Sequence, residues 1–172
     1  PAPGSNAMKQ VAAMLTAEFR ILDPLVYAAE ATETSVSVVP KTLGGIIAPV
    51  FTPIKTTLTS DTSYRFVTVE GDADAPFSVT FHGPATDPKV TVNGTEVGLV
   101  GNVAYDEDVT VNGRARTVEL ADGQPAATRM SRGTRIDRML LPPGEHEIAF
   151  TATDRTGTAR ATVSVTPAFY HL

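Results

Sequence analysis

The side chains able to do chemistry in this sequence are few and scattered. The three histidines, His82, His146 and His171, form neither an HxH nor an HExxH pattern. A single imidazole with no placed carboxylate is neither a metal site nor a general base. His82 therefore reads as a polar residue beside a turn. His146 stands between Glu145 and Glu147, but neighbouring strand residues point to opposite faces, so that triplet does not converge easily. Asp72-x-Asp74 and Asp106-Glu107-Asp108 are the candidates for calcium, since hard cations take several oxygens from one loop. Neither has the spacing of a complete calcium loop, and solvated turn acids are the expectation. There is no GxSxG elbow, no glycine pattern for phosphate and no cysteine, hence no signature of a nucleophile triad, a nucleotide loop or a thiolate site. The reading is no catalysis, no metal and no cofactor.

A second set of residues suggests contact rather than reaction. Arg129, Arg132, Arg135 and Arg138 recur every third position, with Met130, Ile136, Met139 and Leu140 between them. Arginine stems cover apolar surface readily, and Arg and Met are both enriched in protein interfaces. Nucleic-acid binding is disfavoured by a net charge of −5 and by the lack of an aromatic platform beside the arginines. Tryptophan is absent, so a sugar platform would need Tyr, Phe or Arg, and Tyr64, Tyr105 and Tyr170 are the tyrosines at plausible edges. The four arginines and Tyr105 are the candidate interface or ligand surface.

These residues must be positioned by strands. Phe77, Val79 and Phe81 alternate with Ser78, Thr80 and His82, and Val90 alternates with Val92, which puts one dry face on each strand. Breaks are expected at His82-Gly83-Pro84 and Asp87-Pro88, and Asn93-Gly94 is the strongest hairpin signal in the chain. Further runs lie at 63–69, 97–100, 108–111 ahead of Asn112-Gly113, 115–120, 147–153 and 159–166. Ile148, Phe150, Val163 and Val165 join the expected core. Residues 125–141, interrupted by Gly133, read as a loop with one or two helical turns, and the tail 167–172 as surface. The fold class is all-β, a sandwich of two antiparallel sheets.

Four segments follow. Residues 1–7 include Ser5-Asn6-Ala7 ahead of Met8, the form of a tag-removal scar, and are set aside. Residues 8–40 hold a helix-prone run at 8–15, then extended runs at 16–22, 25–29 and 34–39 that cannot build a core alone. They read as the last strands of another domain, or as strands added to a neighbour. Residues 41–62, punctuated by Gly44-Gly45, Pro49 and Pro53, contain IIAPVF, too apolar for a free linker; an extended arm docked on a surface is expected. Residues 63–172 form the sandwich. No apolar run approaches the ~18 residues of a membrane span.

The run EGDADAPFSVTFHGPATDPKVTVNG, the hairpin at 109–120, a variable loop, then LLPPGEHEIAF and ARATVSV together resemble the distal tail protein family of long-tailed phages, the siphovirus-type tail components. The match covers about residues 67–165, and AEFRILDPLVYAAE resembles the end of the family's N-terminal domain. The resemblance implies a galectin-like or jelly-roll sandwich attached to a ring-forming domain, most of which this sequence lacks. It implies a non-catalytic tail-tip or baseplate component, made in the bacterial cytoplasm and carried in the virion tail. Its partners would be the tail tube, a baseplate hub or an adhesin, with a homo-oligomer formed by the full-length protein. The rival function is a carbohydrate-binding module for host-surface glycan, with Tyr105 and Arg135 as its test residues.

Overall fold

The computed structural model describes residues 16–18, 20, 23–38, 63–154 and 156–170. The expected tag remnant, the helix-prone run at 8–15, the arm at 41–62 and His171 lie outside them. Among the described residues thirteen strands form: β1 (Val26–Tyr27), β2 (Thr32–Ser37), β3 (Ser63–Val69), β4 (Ala75–His82), β5 (Ala85–Val92), β6 (Thr95–Gly98), β7 (Asn102–Val103), β8 (Asp108–Asn112), β9 (Thr117–Leu120), β10 (Leu140–Leu141), β11 (Gly144–Thr153), β12 (Arg160–Val165) and β13 (Ala168–Phe169). One sheet runs β2-β12-β4-β8-β9, with β10 on β4. The other runs β3-β11-β5-β6, with β7 on β5. Every pairing between these strands is antiparallel, and β1 and β13 make a separate ribbon. This is the all-β sandwich of two antiparallel sheets that the alternation predicts.

The core lies between the sheets and is built from the period-2 residues. Phe77, Val79 and Phe81 of β4 and Val163 and Val165 of β12 come from one sheet; Val90, Val92, Ile148 and Phe150 come from the other, and all are at most 2% exposed. Phe81 and Phe150 meet across the layer with ring centroids 6.5 Å apart. Each such side chain contributes roughly 1.5–3 kcal/mol of transfer free energy, which has to stabilise a chain with no disulfide.

The turns follow local chemistry, with two differences from expectation. Asn93 (φ +47°) and Gly94 (φ +77°) are both left-handed between paired Val92 and Thr95, the conformation a tight two-residue hairpin requires. By contrast, Asn112 pairs with Thr117, so the second Asn-Gly opens a longer loop and the strand expected from 115 starts at 117. Gly113 is required there for space: a Cβ would lie 2.6 Å from the Phe77 carbonyl oxygen. Nor does Asp87-Pro88 end a strand. β5 continues through it because Asp87 takes φ +47° and closes a local clasp, donating its N–H to the Gly101 carbonyl at 2.9 Å while its carboxylate accepts from Gly101 N–H at 2.7 Å.

The N-terminal strands behave differently from the 16–22 expectation. Residues 16–18 and 20 are exposed and outside any strand, and the rest of that run lies outside the described residues. Strand β2 instead pairs with β12 along its length, from Thr32↔Val165 to Ser37↔Arg160, and buries Val36 in the sandwich. Ahead of it, the Tyr27 hydroxyl donates to Asp23 at 2.8 Å and its ring carries the Arg114 guanidinium at 3.8 Å. The tail is not simply surface either. Pro167 and Ala168 are buried, and the Ala168 carbonyl accepts from the N–H groups of Asp72 and Ala73, each at 3.2 Å.

Candidate functional site

The arginine loop folds as two single 3₁₀ turns, Ala127–Arg129 and Ile136–Arg138. Buried Thr134 pins it to β6: its hydroxyl accepts from Gly98 N–H at 2.8 Å and lies 3.2 Å from the Gly98 carbonyl. The four arginines are placed differently. Arg129 is turned inward, donating to Glu107 Oε1 at 2.6 Å and to the Asn102 carbonyl at 2.6 Å. Arg135 pairs with its neighbour Asp137 at 3.2 Å, while Arg132 and Arg138 are exposed.

Glu107 connects this loop to Tyr105. Its backbone N–H donates to the Ala104 carbonyl at 3.2 Å and its carboxylate accepts from Ala104 N–H at 2.8 Å. That closes a four-residue turn with Tyr105 and Asp106 at the tip, Asp106 left-handed at φ +58°. The hydrogen bonds from Arg129 and from Ala104 hold the Glu107 carboxyl below the usual range, against a smaller opposing effect of burial. Gly83 lies directly beneath: a Cβ there would overlap the Ala104 carbonyl, and Gly83 N–H donates to the Glu107 carbonyl at 3.1 Å. Tyr105 is 68% exposed on this braced turn.

Beside it, three strands bring together residues the sequence keeps apart. Pairing of β4 with β8 and β12 sets His82 opposite Asp108 and Arg160. His82 Nδ1 lies 2.7 Å from Asp108 Oδ1, and Nε2 lies 3.0 Å from the Thr162 hydroxyl. The expectation of an unpartnered turn-side histidine is corrected, since the register supplies the missing carboxylate from 26 residues away. With the Nδ1 proton given to Asp108, the free Nε2 lone pair accepts from Thr162. The order carboxylate, imidazole, hydroxyl is that of a nucleophile relay, but Thr162 sits mid-strand between β2 and β4. Backbone groups there are committed to the ladders on both sides, so among the described residues no pair of N–H groups at Thr162 is left for an oxyanion. A second hydroxyl rung, Thr80 to Thr110 at 3.0 Å, continues the same polar face.

At the end of this row opens a cleft of about 400 Å³ lined by His82, Gly83, Tyr105, Asp106, Asp108, Thr158 and Arg160. The acidic run 106–108 is split around it: Glu107 goes to Arg129, Asp108 to His82, and Asp106 to the rim. Asp72 accepts from Tyr170 N–H at 2.8 Å, and among the described residues no three His, Asp or Glu converge as metal ligands. His146 donates to the Pro142 carbonyl at 2.7 Å.

No family model and no curated protein matches the sequence. Among solved structures, the fold is similar to that of the SPP1 Dit (gp 19.1) protein, described as a paradigm of hub adsorption apparatus in phages infecting Gram-positive bacteria. The TM-score is 0.53 at 16% identity, covering 86% of this chain and 50% of that one. At that identity the likeness is one of fold, and this chain spans half the length of the protein it matches.

Proposed function

We propose that the chain is a non-catalytic structural component of a phage or prophage tail tip, an assembly hub between the tail tube and the adhesion apparatus. The observation that carries this reading is the fold shared over 86% of the chain with a phage hub protein. The motif resemblance between about residues 67 and 165 supports it from a separate direction. Exposed aromatics on strand β3, Tyr64 at 54% and Phe66 at 60%, at the end of the five-stranded sheet, suit a surface that a neighbouring tail protein covers. On this reading residues 8–40 are the end of an N-terminal ring-type domain whose Thr32–Ser37 strand crosses into the sandwich, and 41–62 are the connecting arm. The full-length protein is a homo-oligomer, made in the bacterial cytoplasm and carried in the virion tail, with the tail tube, a baseplate hub or an adhesin as partners.

The test is antibody labelling. Antibody raised against the 172-residue chain is applied to virions induced from the source strain and viewed by negative-stain electron microscopy. Label at the distal end of the tail is expected; virions that remain unlabelled, or are labelled on the head, overturn the reading.

A further inference from the structure

The cleft beside Tyr105 has the composition of a ligand site, and the assembly role proposed above does not depend on it. Its volume, about 400 Å³, falls within the roughly 300–1,000 Å³ of small-molecule pockets. One wall is an exposed aromatic ring, which exposes apolar area to water at a position where packing does not need it. The turn that carries it is held in place. The Tyr105 turn is closed by Glu107, Glu107 is gripped by Arg129, and Gly83 packs under the turn with no room for a side chain. A ring carried on a backbone already fixed from three directions can be stacked upon without also having to order its loop.

The rest of the lining includes hydrogen-bonding groups of different polarity. Asp108 spends Oδ1 on His82, and Oδ2 has no partner among the described residues. Asp106 and Arg160 are likewise unpaired there and exposed. Together they offer carboxylate acceptors and a planar fork of donors. A phosphate or other anion would meet two carboxylates for one guanidinium, and a lone cation would meet Arg160. A neutral ring with one C–H face and several hydroxyls satisfies the aromatic wall and both polarities at once.

We infer that this cleft binds a neutral saccharide, a hexose or N-acetylhexosamine, stacked on Tyr105 with its hydroxyls bonded to Asp106, Asp108 and Arg160. The ring-stacking residue and the carboxylates come from the segment 105–108, and the guanidinium comes from the start of β12.

The isotope-labelled 172-residue chain is titrated separately with free hexoses, N-acetylhexosamines, choline and inorganic phosphate while backbone amide resonances are followed. A neutral sugar is expected to move Tyr105, Asp106 and Thr158. Tyr105→Ala should weaken that binding about tenfold, the scale of one lost aromatic contact. Asp106→Asn, which keeps the left-handed turn residue tolerable, should weaken it independently, and Tyr64→Ala on the other sheet should leave it unchanged. Unfolding temperatures of the variants establish that each is folded. The inference is overturned if no sugar moves these amides, if only choline or phosphate does, or if both Tyr105→Ala and Asp106→Asn bind as the parent does. Either result leaves virion labelling unaffected, so the two readings fail separately.

Discussion

Arg129 and Glu107, 22 residues apart in the chain, meet at 2.6 Å with about a quarter of each side chain exposed. The same guanidinium reaches the Asn102 carbonyl at 2.6 Å. Arg129 thereby joins a 3₁₀ turn to both sides of the Tyr105 turn, and its charge is spent inside the molecule.

Arg129→Ala should cost about 1–2 kcal/mol, between an exposed ion pair and a buried charged hydrogen bond. Its signature is local. Amide exchange at Ala104 should accelerate more than exchange in β4 or β12. A uniform acceleration across the sandwich would show that Arg129 supports the whole fold rather than this turn.

Acid should remove two specific contributions. Glu107 is held low by Arg129 and Ala104. In Asp154, burial pushes the carboxyl up, but the N–H groups of Ala159, Thr156 and Thr158 and the Thr156 hydroxyl outweigh it and leave it low. A carboxylate held low in the folded state stabilises fully above its ordinary range, near pH 4, and loses that stabilisation as pH falls through the lowered folded value. Thermal unfolding followed from pH 7 to pH 2 should fall more steeply for the parent than for Glu107→Gln or Asp154→Asn. Parallel curves would contradict the assignment.

Phe150→Ala should cost about 3–5 kcal/mol, as for other large-to-small changes in a packed core. Phe81 faces Phe150 from the other sheet, so Phe81→Ala and the double variant should be non-additive in chemical denaturation. Additive losses would mean the two rings do not share one packing environment.

Gly71→Ala should release the C-terminal strand. Gly71 has φ +114°, and an added Cβ would overlap the Ala168 carbonyl, the acceptor that ties β13 to the Asp72 and Ala73 amides. A loss of roughly 1–3 kcal/mol is expected from the backbone conformation alone. Limited proteolysis should cut near Phe169 and Tyr170 faster than in the parent. An unchanged cleavage rate would refute the coupling.

Much of the sandwich was legible because it depends on local periodicity. Phe77-Val79-Phe81 and Val90-Val92 declare their dry faces by alternation, and Asn93-Gly94 declares its hairpin by the backbone angles those residues tolerate. What was not legible depends on which strands become neighbours. His82 acquires Asp108 and Thr162 through the pairing of β4 with β8 and β12, and nothing within a few residues of His82 specifies that register. The acidic run 106–108 reads as turn acids, and they do lie at a turn, but the partners that Glu107 and Asp108 take there, Arg129 and His82, come from distant segments that the run itself does not name. A usable signal for the site was nonetheless present, an aromatic followed by aspartate between two strands, at Tyr105-Asp106. The regular spacing of the arginines carried less than it suggested, because 3₁₀ turns and a pinned loop sent Arg129 inward and left the others out.

The pairing of Val26 with Phe169 has a mechanical corollary. The rungs Val26↔Phe169, Tyr27↔Ala168 and then Thr32↔Val165 through Ser37↔Arg160 form one antiparallel series in which the earlier residue of every later rung lies further from Val26. Tension applied between the chain leading into Val26 and the chain leaving Phe169 meets these rungs one at a time, as a zipper, and never loads them together in shear. Strand β2 would therefore leave β12 rung by rung from its Thr32 end, so that the register itself sets the order in which this edge yields.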